Sequence, residues 1–205
     1  WNMSGHITLR EAERRAFTGT LQDGLWDILI GCVILMFAVA PLLSDAGMGD
    51  FWSSAVFLPI WAVIWVGIRI LRQRVITPRT GLVEFGSWRK ARLSRLVVLM
   101  LVVNAAVLVL GFLIWRRNEP EWSAAPFLLA GMALVLFSAA AYFTDLTRLY
   151  LYGLLLALAP LVGEWLYQEH GASHHGFPIA FGTVSGIIIL IGLVKFVRLV
   201  QSAPI

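Results

Sequence analysis

Six apolar stretches of about 20 residues follow one another along the chain and limit its possible folds more than any other feature. They cover residues 24 to 43, 51 to 71, 96 to 115, 123 to 143, 146 to 166 and 177 to 197. About 20 helical residues match a bilayer hydrocarbon core of roughly 30 Å. Each stretch is continuously apolar, whereas strands of a membrane barrel alternate in polarity. The sequence therefore predicts an all-α integral membrane protein with six transmembrane helices.

Lysine and arginine residues lie almost entirely on one side of the six predicted spans. With six spans, both termini lie on the same side, where the loops after the second and fourth spans join them. Of the 16 basic residues, 14 fall on this side, and only Arg116 and Arg117 fall on the other. Basic residues near span ends are retained in the cytoplasm. We therefore expect three helical hairpins with both termini cytoplasmic, in a membrane such as the bacterial inner membrane.

The chain before the first span has its own helical signal. Thr8 and Glu11 have the spacing of a capping box, in which two side chains satisfy backbone N–H groups at a helix start. Weakly apolar residues follow on one face, which favours a short helix lying on the inner leaflet. We divide the chain into a cytoplasmic amphipathic segment, residues 1–22, and a six-helix transmembrane domain, residues 23–200.

The one long polar interval, residues 72–95, is predicted to be a basic cytoplasmic loop and is called the basic stretch below. Its basic residues are Arg72, Arg74, Arg79, Arg89, Lys90, Arg92 and Arg95. Clustered cations beside a span attract anionic headgroups, by about 1 kcal/mol for each residue near the surface. We expect contact with anionic lipids, and a docking site for another protein is the alternative. Nucleic-acid binding is not expected, because it calls for a basic folded module with stacking aromatic residues.

Two polar side chains within the predicted spans are candidates for function. Asp27 lies near the inner end of the first span, where a carboxylate is costly unless it faces protein or water. It is interpreted either as a structural carboxylate paired with Arg69, Arg148 or Arg198, or as a proton or cation site. Asn104 lies near mid-membrane, where amides commonly form interhelical hydrogen bonds. Contact with a substrate is the alternative for Asn104.

An outer loop contains residues that are able to ligate a metal ion. The candidates are Glu169, His170, His174 and His175. Imidazole and carboxylate groups bind zinc or copper, but the spacing matches no metalloprotease motif and Gly171 interrupts the helix. We therefore expect a solvated loop, with metal binding as the alternative, and no cofactor is predicted.

The last span contains small residues at a spacing typical of close helix packing. Gly182 and Gly186 are four residues apart, with Ser185 between them. Missing side chains at this spacing let two helix backbones approach, and the Ser185 hydroxyl can add a hydrogen bond. We predict that this face packs against another helix, either within the chain or in a second copy. A homo-oligomer or a larger membrane complex is accordingly possible.

Three classes of function are compatible with these features. A non-catalytic scaffold, assembly protein or accessory subunit of a membrane complex needs no feature that the sequence lacks, and it is the function we expect. An oligomeric ion channel or small transporter is the alternative, with its pathway between protomers because the spans contain few polar groups. A metal-dependent membrane enzyme using the outer histidine loop is the second alternative. It is the least expected of the three, because catalysis needs convergent polar groups and the acidic residues are scattered.

Overall fold

The computed structural model describes residues 23–76, 87–116 and 124–202, which are almost entirely helical. The α-helices in these ranges are α1 Leu25–Asp45, α2 Asp50–Ala55, α3 Phe57–Leu71, α4 Ser87–Arg116, α5 Ala125–Thr144, α6 Arg148–His170 and α7 Phe177–Ser202. A π-helical turn, Arg72–Ile76, extends α3, and a 3₁₀ turn, His174–Gly176, precedes α7. The predicted N-terminal helix and Arg79 lie outside the described residues.

Six helical segments of the described chain are long and apolar enough to cross a membrane. Each corresponds to one of the predicted apolar stretches, so the prediction of an all-helical protein with six helices of spanning length is confirmed. A helix satisfies its backbone hydrogen bonds internally, which is why continuous runs of Leu, Val, Ile and Ala adopt this structure in hydrocarbon.

Part of the predicted loop, residues 72–95, is helical in the structure. Arg72–Ile76 continues α3, and residues 87–95 form the first turns of α4. Arginine and lysine are good helix formers, and their long side chains can carry a charge from the end of a span to the membrane surface. Helical structure therefore extends into the basic stretch from both sides.

Four helices form the core of the bundle. α1 packs along α7, α5 packs along α6, and α6 packs against α7. Tyr152 of α6 and Ile188 of α7 are fully buried in this core, and Ile34, Ala38 and Phe181 are buried beside them. The first and last spans are therefore neighbours, although they are far apart in sequence.

The helices α3 and α4 lie at the edge of this core. α3 touches α1, and α4 packs against α5. The buried share of an apolar 18-residue window differs between the spans. It is 6% in the second span and zero in α4, compared with 44% in α6. These two helices therefore leave apolar surfaces uncovered in the described chain, and lipid or another transmembrane helix would accommodate such surfaces equally well.

Candidate functional site at the basic end of the bundle

A buried carboxylate joins three helices at the end of the bundle where α1, α4 and α6 begin, called the basic end below. Asp27 of α1 is fully buried there. The Nε atom of Arg148 lies 3.0 Å from its Oδ1 atom, and the Nζ atom of Lys195 lies 3.4 Å from its Oδ2 atom. The Tyr152 hydroxyl group lies close to the same carboxylate. Asp27 therefore links α1 to α6 and α7 through two ion pairs.

The surroundings of Asp27 favour its interpretation as a structural carboxylate. Arg148 is one of the three partners that the sequence suggested, whereas Lys195 was not among them. Removing a carboxylate from water costs several kcal/mol, and two close cations offset that cost. The Arg148 contact lacks the alignment of a hydrogen bond, so its attraction is mainly coulombic. A proton or cation that used Asp27 would have to compete with two resident cations.

A second carboxylate, Asp145, holds two arginines of the basic stretch. The Nη1 atoms of Arg89 and Arg92 lie 3.0 and 3.1 Å from its Oδ2 atom. Arg89 is only 1% exposed. Arg92 also donates a hydrogen bond to the Tyr142 carbonyl oxygen, and its guanidinium lies 5.5 Å from the centre of the Trp88 ring. These contacts attach the start of α4 to the end of α5.

The turn between α5 and α6 connects the two carboxylate clusters. Asp145 ends α5 with a φ of 59°, a left-handed conformation that aspartate adopts more readily than most residues. The Leu146 N–H group then donates to the Ala141 carbonyl oxygen, as is typical of a helix C-terminus. Arg148 begins α6 only three residues after Asp145. One short turn thus carries a partner of Asp27 and the carboxylate that binds Arg89.

Asp23 is a third acid at the basic end and lies two residues before α1. It is 2% exposed, and its Oδ1 atom accepts a hydrogen bond of 3.0 Å from the Leu25 N–H group. Burial raises the pKa of the Asp23 carboxyl above its ordinary value, while the Leu25 hydrogen bond and the charges of Arg72 and Arg148 act in the opposite direction. The net effect favours the protonated acid.

Three other cations of the basic stretch are exposed. Arg74, Lys90 and Arg95 are exposed, and the described part of the chain gives them no acidic partner. Arg72 is partly buried beside Asp23. The basic stretch is therefore divided between arginines that are anchored to a carboxylate and cations that remain accessible to a ligand.

The geometry at the basic end fixes helices and presents positive charge. No known protein family, curated protein or solved structure matches the chain. Function must therefore be inferred from the arrangement of the side chains themselves. The chemistry available at the basic end is the binding of anions at its accessible cations.

Two histidines at the opposite end attach the start of α7 to its neighbours. The Nε2 atom of His174 lies 2.6 Å from the Oδ2 atom of Asp45, and the Nδ1 atom of His175 lies 2.9 Å from the Oε2 atom of Glu164. Asp45 ends α1 and Glu164 belongs to α6. The 3₁₀ turn is therefore connected to both helices.

The four candidate metal ligands do not converge in the structure. The His170 ring packs edge-on against Trp165, with 4.8 Å between ring centres. Glu169 is exposed, and His174 and His175 contact different carboxylates. Among the described residues, no group of three His, Cys, Asp or Glu side chains is placed to hold a metal ion.

Asn104 lies on the exposed surface of α4 and does not face the core. Its Nδ2 atom donates a hydrogen bond of 2.8 Å to the Met100 carbonyl oxygen of the same helix. The described residues place no other helix against the amide. An interhelical bond from Asn104 thus requires a group that lies outside this bundle.

The predicted small-residue face of α7 packs loosely at its two glycines. A Cβ atom added at Gly182 would lie 3.7 Å from the Cβ atom of Ala38, and one added at Gly186 would meet nothing within 4 Å. Ser185 is fully buried, and its hydroxyl donates to the Gly182 carbonyl oxygen at 2.9 Å. Of the three residues, Ser185 is the one enclosed between helices.

Other glycines, which the sequence analysis did not single out, bring α1 and α7 together. A Cβ atom at Gly31 would lie 3.2 Å from the Ser185 carbonyl oxygen, and one at Gly192 would lie 2.8 Å from the Gly24 carbonyl oxygen. Gly24 and Gly31 are seven residues apart, as are Ser185 and Gly192. A seven-residue spacing returns to nearly the same helix face. This repeated spacing on two spans was the available signal.

Proposed function

We propose that this chain is a non-catalytic membrane protein, a scaffold or accessory subunit of a membrane complex, whose basic end binds anionic lipid headgroups. The observation that carries the proposal is the division of charge at that end. Asp27 and Asp145 each have two cationic partners. Arg74, Lys90 and Arg95 are exposed without an acidic partner in the described chain. Exposed cations beside a span are what anionic headgroups bind.

The buried charges support a static role. An ion pathway needs polar groups along its length, whereas Asp27 is held by Arg148 and Lys195. Asn104, near mid-membrane, is exposed on the outside of α4. Both residues therefore fit a rigid membrane component better than they fit a transport route through one chain.

We further propose that the spans form three hairpins with the basic end and both termini in the cytoplasm, in a membrane such as the bacterial inner membrane. The 14 basic residues on one side and two on the other support this orientation. The test replaces Cys32 by serine and introduces single cysteines by Ala46→Cys, Ala172→Cys and Lys90→Cys. An impermeant thiol reagent added to intact cells should label positions 46 and 172 and spare position 90. The reverse pattern would contradict the orientation.

Lipid selectivity tests the functional proposal. The full chain is reconstituted into vesicles that contain spin-labelled phosphatidylglycerol or phosphatidylcholine, and the fraction of label slowed by the protein is measured. We expect a preference for phosphatidylglycerol that weakens as salt is added. Arg74→Gln, Lys90→Gln and Arg95→Gln together should reduce it, by at most about fivefold for each residue at about 1 kcal/mol.

The matched control is Arg116→Gln, which removes an exposed arginine at the other end of α4. This variant should leave the lipid selectivity at the basic end unaltered. That selectivity is measured with the spin-labelled lipid in the leaflet that contacts the basic end alone. A preference for phosphatidylglycerol that survives the triple substitution would contradict the proposal. A protein that co-purifies in stoichiometric amount and is lost from the triple variant, with lipid selectivity absent throughout, would show that the surface docks a protein instead.

A further inference from the structure

One exposed side of α4 carries a polar residue and a glycine that contact with lipid does not require. Val97, Leu101 and Leu108 are 56%, 66% and 75% exposed. Asn104 and Gly111 continue the same spacing of four and three residues. Positions separated alternately by four and three residues share one side of a helix and form the seam of helix pairs. Asn104 and Gly111 therefore lie on one side of α4 with three exposed apolar residues, and they distinguish this side from the equally exposed one that carries Val102 and Val109.

The amide of Asn104 is only partly satisfied on this face. Asparagine has two N–H donors and a carbonyl oxygen, and the structure uses one donor, in the hydrogen bond to the Met100 carbonyl oxygen. The side chain is exposed on α4. A polar group left without a partner in hydrocarbon is costly, because no water is present to replace the missing bond.

The depth of Asn104 makes solvation by water or headgroups difficult. The apolar part of α4 covers residues 96–115, so Asn104 is near its middle, about 12 Å along the axis from Leu96 at 1.5 Å per residue. An asparagine side chain is much too short to reach the membrane surface from there. Another transmembrane helix is the partner that such a group commonly finds.

Gly111 would allow that helix to come close. It lies two turns from Asn104 on the same side of α4, and a Cβ atom added there would meet nothing within 4 Å. A glycine facing open space on an apolar span lets two backbones approach, which increases dispersion contact along the seam. Gly111 and Asn104 thus supply the two features that associate helices in a bilayer.

We propose that this face of α4 binds the same face of a second copy of this chain. Both copies are inserted in the same direction, so a twofold axis along the membrane normal places the two α4 helices parallel and the two Asn104 residues at equal depth. The amide both donates and accepts, and each copy can therefore satisfy the other. The face has no charge to repel its own image, and a symmetric contact of this kind closes as a dimer. The inference does not depend on lipid binding at the basic end.

Disulfide cross-linking in vesicles tests the contact directly. In a Cys32→Ser background, Leu101→Cys and Leu108→Cys should form dimers readily on oxidation. Val102→Cys and Val109→Cys are the controls, because both positions are 58% exposed and lie about 100° around the helix from positions 101 and 108. They should form few dimers, and that yield should fall as the protein is diluted with lipid.

The contribution of Asn104 is measured from the dimer fraction of the full chain as the lipid-to-protein ratio rises. Asn104→Leu should weaken dimerisation by on the order of tenfold, the upper range for hydrogen bonds between spans, whereas Asn104→Gln should retain most of it. Thermal unfolding of each variant shows whether the fold is kept. If Asn104→Leu fails to fold, the comparison of positions 101 and 108 with 102 and 109 still decides.

Three outcomes would overturn the proposal. Cross-linking could be equal on both faces of α4, which would mean random collision. A well-folded Asn104→Leu variant could dimerise as the wild type does. The product cross-linked at positions 101 and 108 could have a mass other than twice that of the chain, which would identify a different protein as the occupant.

Discussion

Gly24 and Gly192 bring the first and last spans into backbone contact. A Cβ atom at Gly192 would lie 2.8 Å from the Gly24 carbonyl oxygen, and one at Gly24 would collide with the Gly192 carbonyl oxygen. A Cβ atom at Gly24 would also lie 3.0 Å from the Lys195 Cβ atom. The lysine side chain reaches Asp27, one turn into α1, with 3.4 Å between their charged atoms. The close approach of the backbones is therefore what places a lysine of α7 beside the buried carboxylate of α1.

Gly192→Ala should destabilise the protein. The new methyl group would lie 2.8 Å from both the Gly24 carbonyl oxygen and the Ile28 nitrogen, so α1 and α7 would have to separate. Overpacking of this kind costs about 1 to 3 kcal/mol, which lowers the melting temperature by roughly 2 to 4 °C for each kcal/mol.

Gly186→Ala in the same helix is the control. Its methyl group meets nothing within 4 Å, so it should leave the melting temperature unchanged or slightly higher. Equal losses in both variants would mean that the contact at Gly192 is unimportant.

Asp27→Asn should destabilise the protein by about 3 kcal/mol. The substitution leaves Arg148 and Lys195, which are 15% and 34% exposed, without their carboxylate. Breaking a buried ion pair from one side costs about 3 to 5 kcal/mol, and the partial exposure of these cations favours the lower end. Unfolding in detergent measures the loss.

Two further variants separate this effect from a general loss of charge. Asp45→Asn removes a carboxylate that is 59% exposed and should change stability by less than about 1 kcal/mol. Combining Asp27→Asn with Arg148→Gln should cost less than the sum of the two single changes, because each removes the same pair. Additive losses would show that the pair does not act as a unit.

The spans could be predicted from the sequence, because their signal is local. Leu, Val and Ile runs of the required length need no information about neighbours, and each predicted stretch became a helix. The helical structure of residues 87–95, at the end of the basic stretch, could not be predicted equally well. Helix formation at residues 87–95 is supported by the contacts of Arg89 and Arg92 with Asp145, which lies more than 50 residues away.

The partners of the candidate residues were harder to predict than the residues themselves. Asp27 could be identified because a carboxylate inside a span is energetically costly. The position of its second cationic partner, Lys195, depends on the packing of α1 against α7. Almost every position in an apolar span looks alike, so the sequence could not indicate which glycines face a neighbour. Gly186 turned out to face open space, whereas Gly31 and Gly192 face backbone atoms.

Asp23 should make stability depend on pH. Burial raises the pKa of this carboxyl above its ordinary value of 3.8, so the folded protein keeps the proton at a pH where the unfolded chain has lost it. Stability from this group is present below pH 3.8 and is lost as pH rises through the folded pKa.

Asp23→Asn retains an acceptor for the Leu25 N–H group and removes the charge. The difference in unfolding free energy between Asp23→Asn and wild type should therefore grow in favour of the variant as pH is raised from 4 to 7. A difference that is flat, or that favours wild type at high pH, would contradict this prediction.

Removing divalent metals should leave stability unchanged. His174 and His175 contact Asp45 and Glu164 respectively, and His170 packs on Trp165, so these imidazoles do not share a centre. Melting temperatures measured with and without a strong chelator should agree, and elemental analysis should find much less than one zinc or copper per chain. A stoichiometric metal that disappears from His170→Ala and His174→Ala variants would contradict this prediction and support the metal-dependent enzyme.

Gly176→Ala should destabilise the outer turn far more than Gly171→Ala. Both glycines have left-handed backbones, with φ of 63° and 62°, so an alanine at either one adds strain of about 1 to 2 kcal/mol. A Cβ atom at Gly176 would also collide with the Gly163 carbonyl oxygen in α6, whereas one at Gly171 would meet nothing within 4 Å. The collision should separate α6 from the start of α7 and add on the order of 1 to 3 kcal/mol. Thermal unfolding of the two variants gives the comparison, and similar melting temperatures would show that the turn can move away from α6 at little cost.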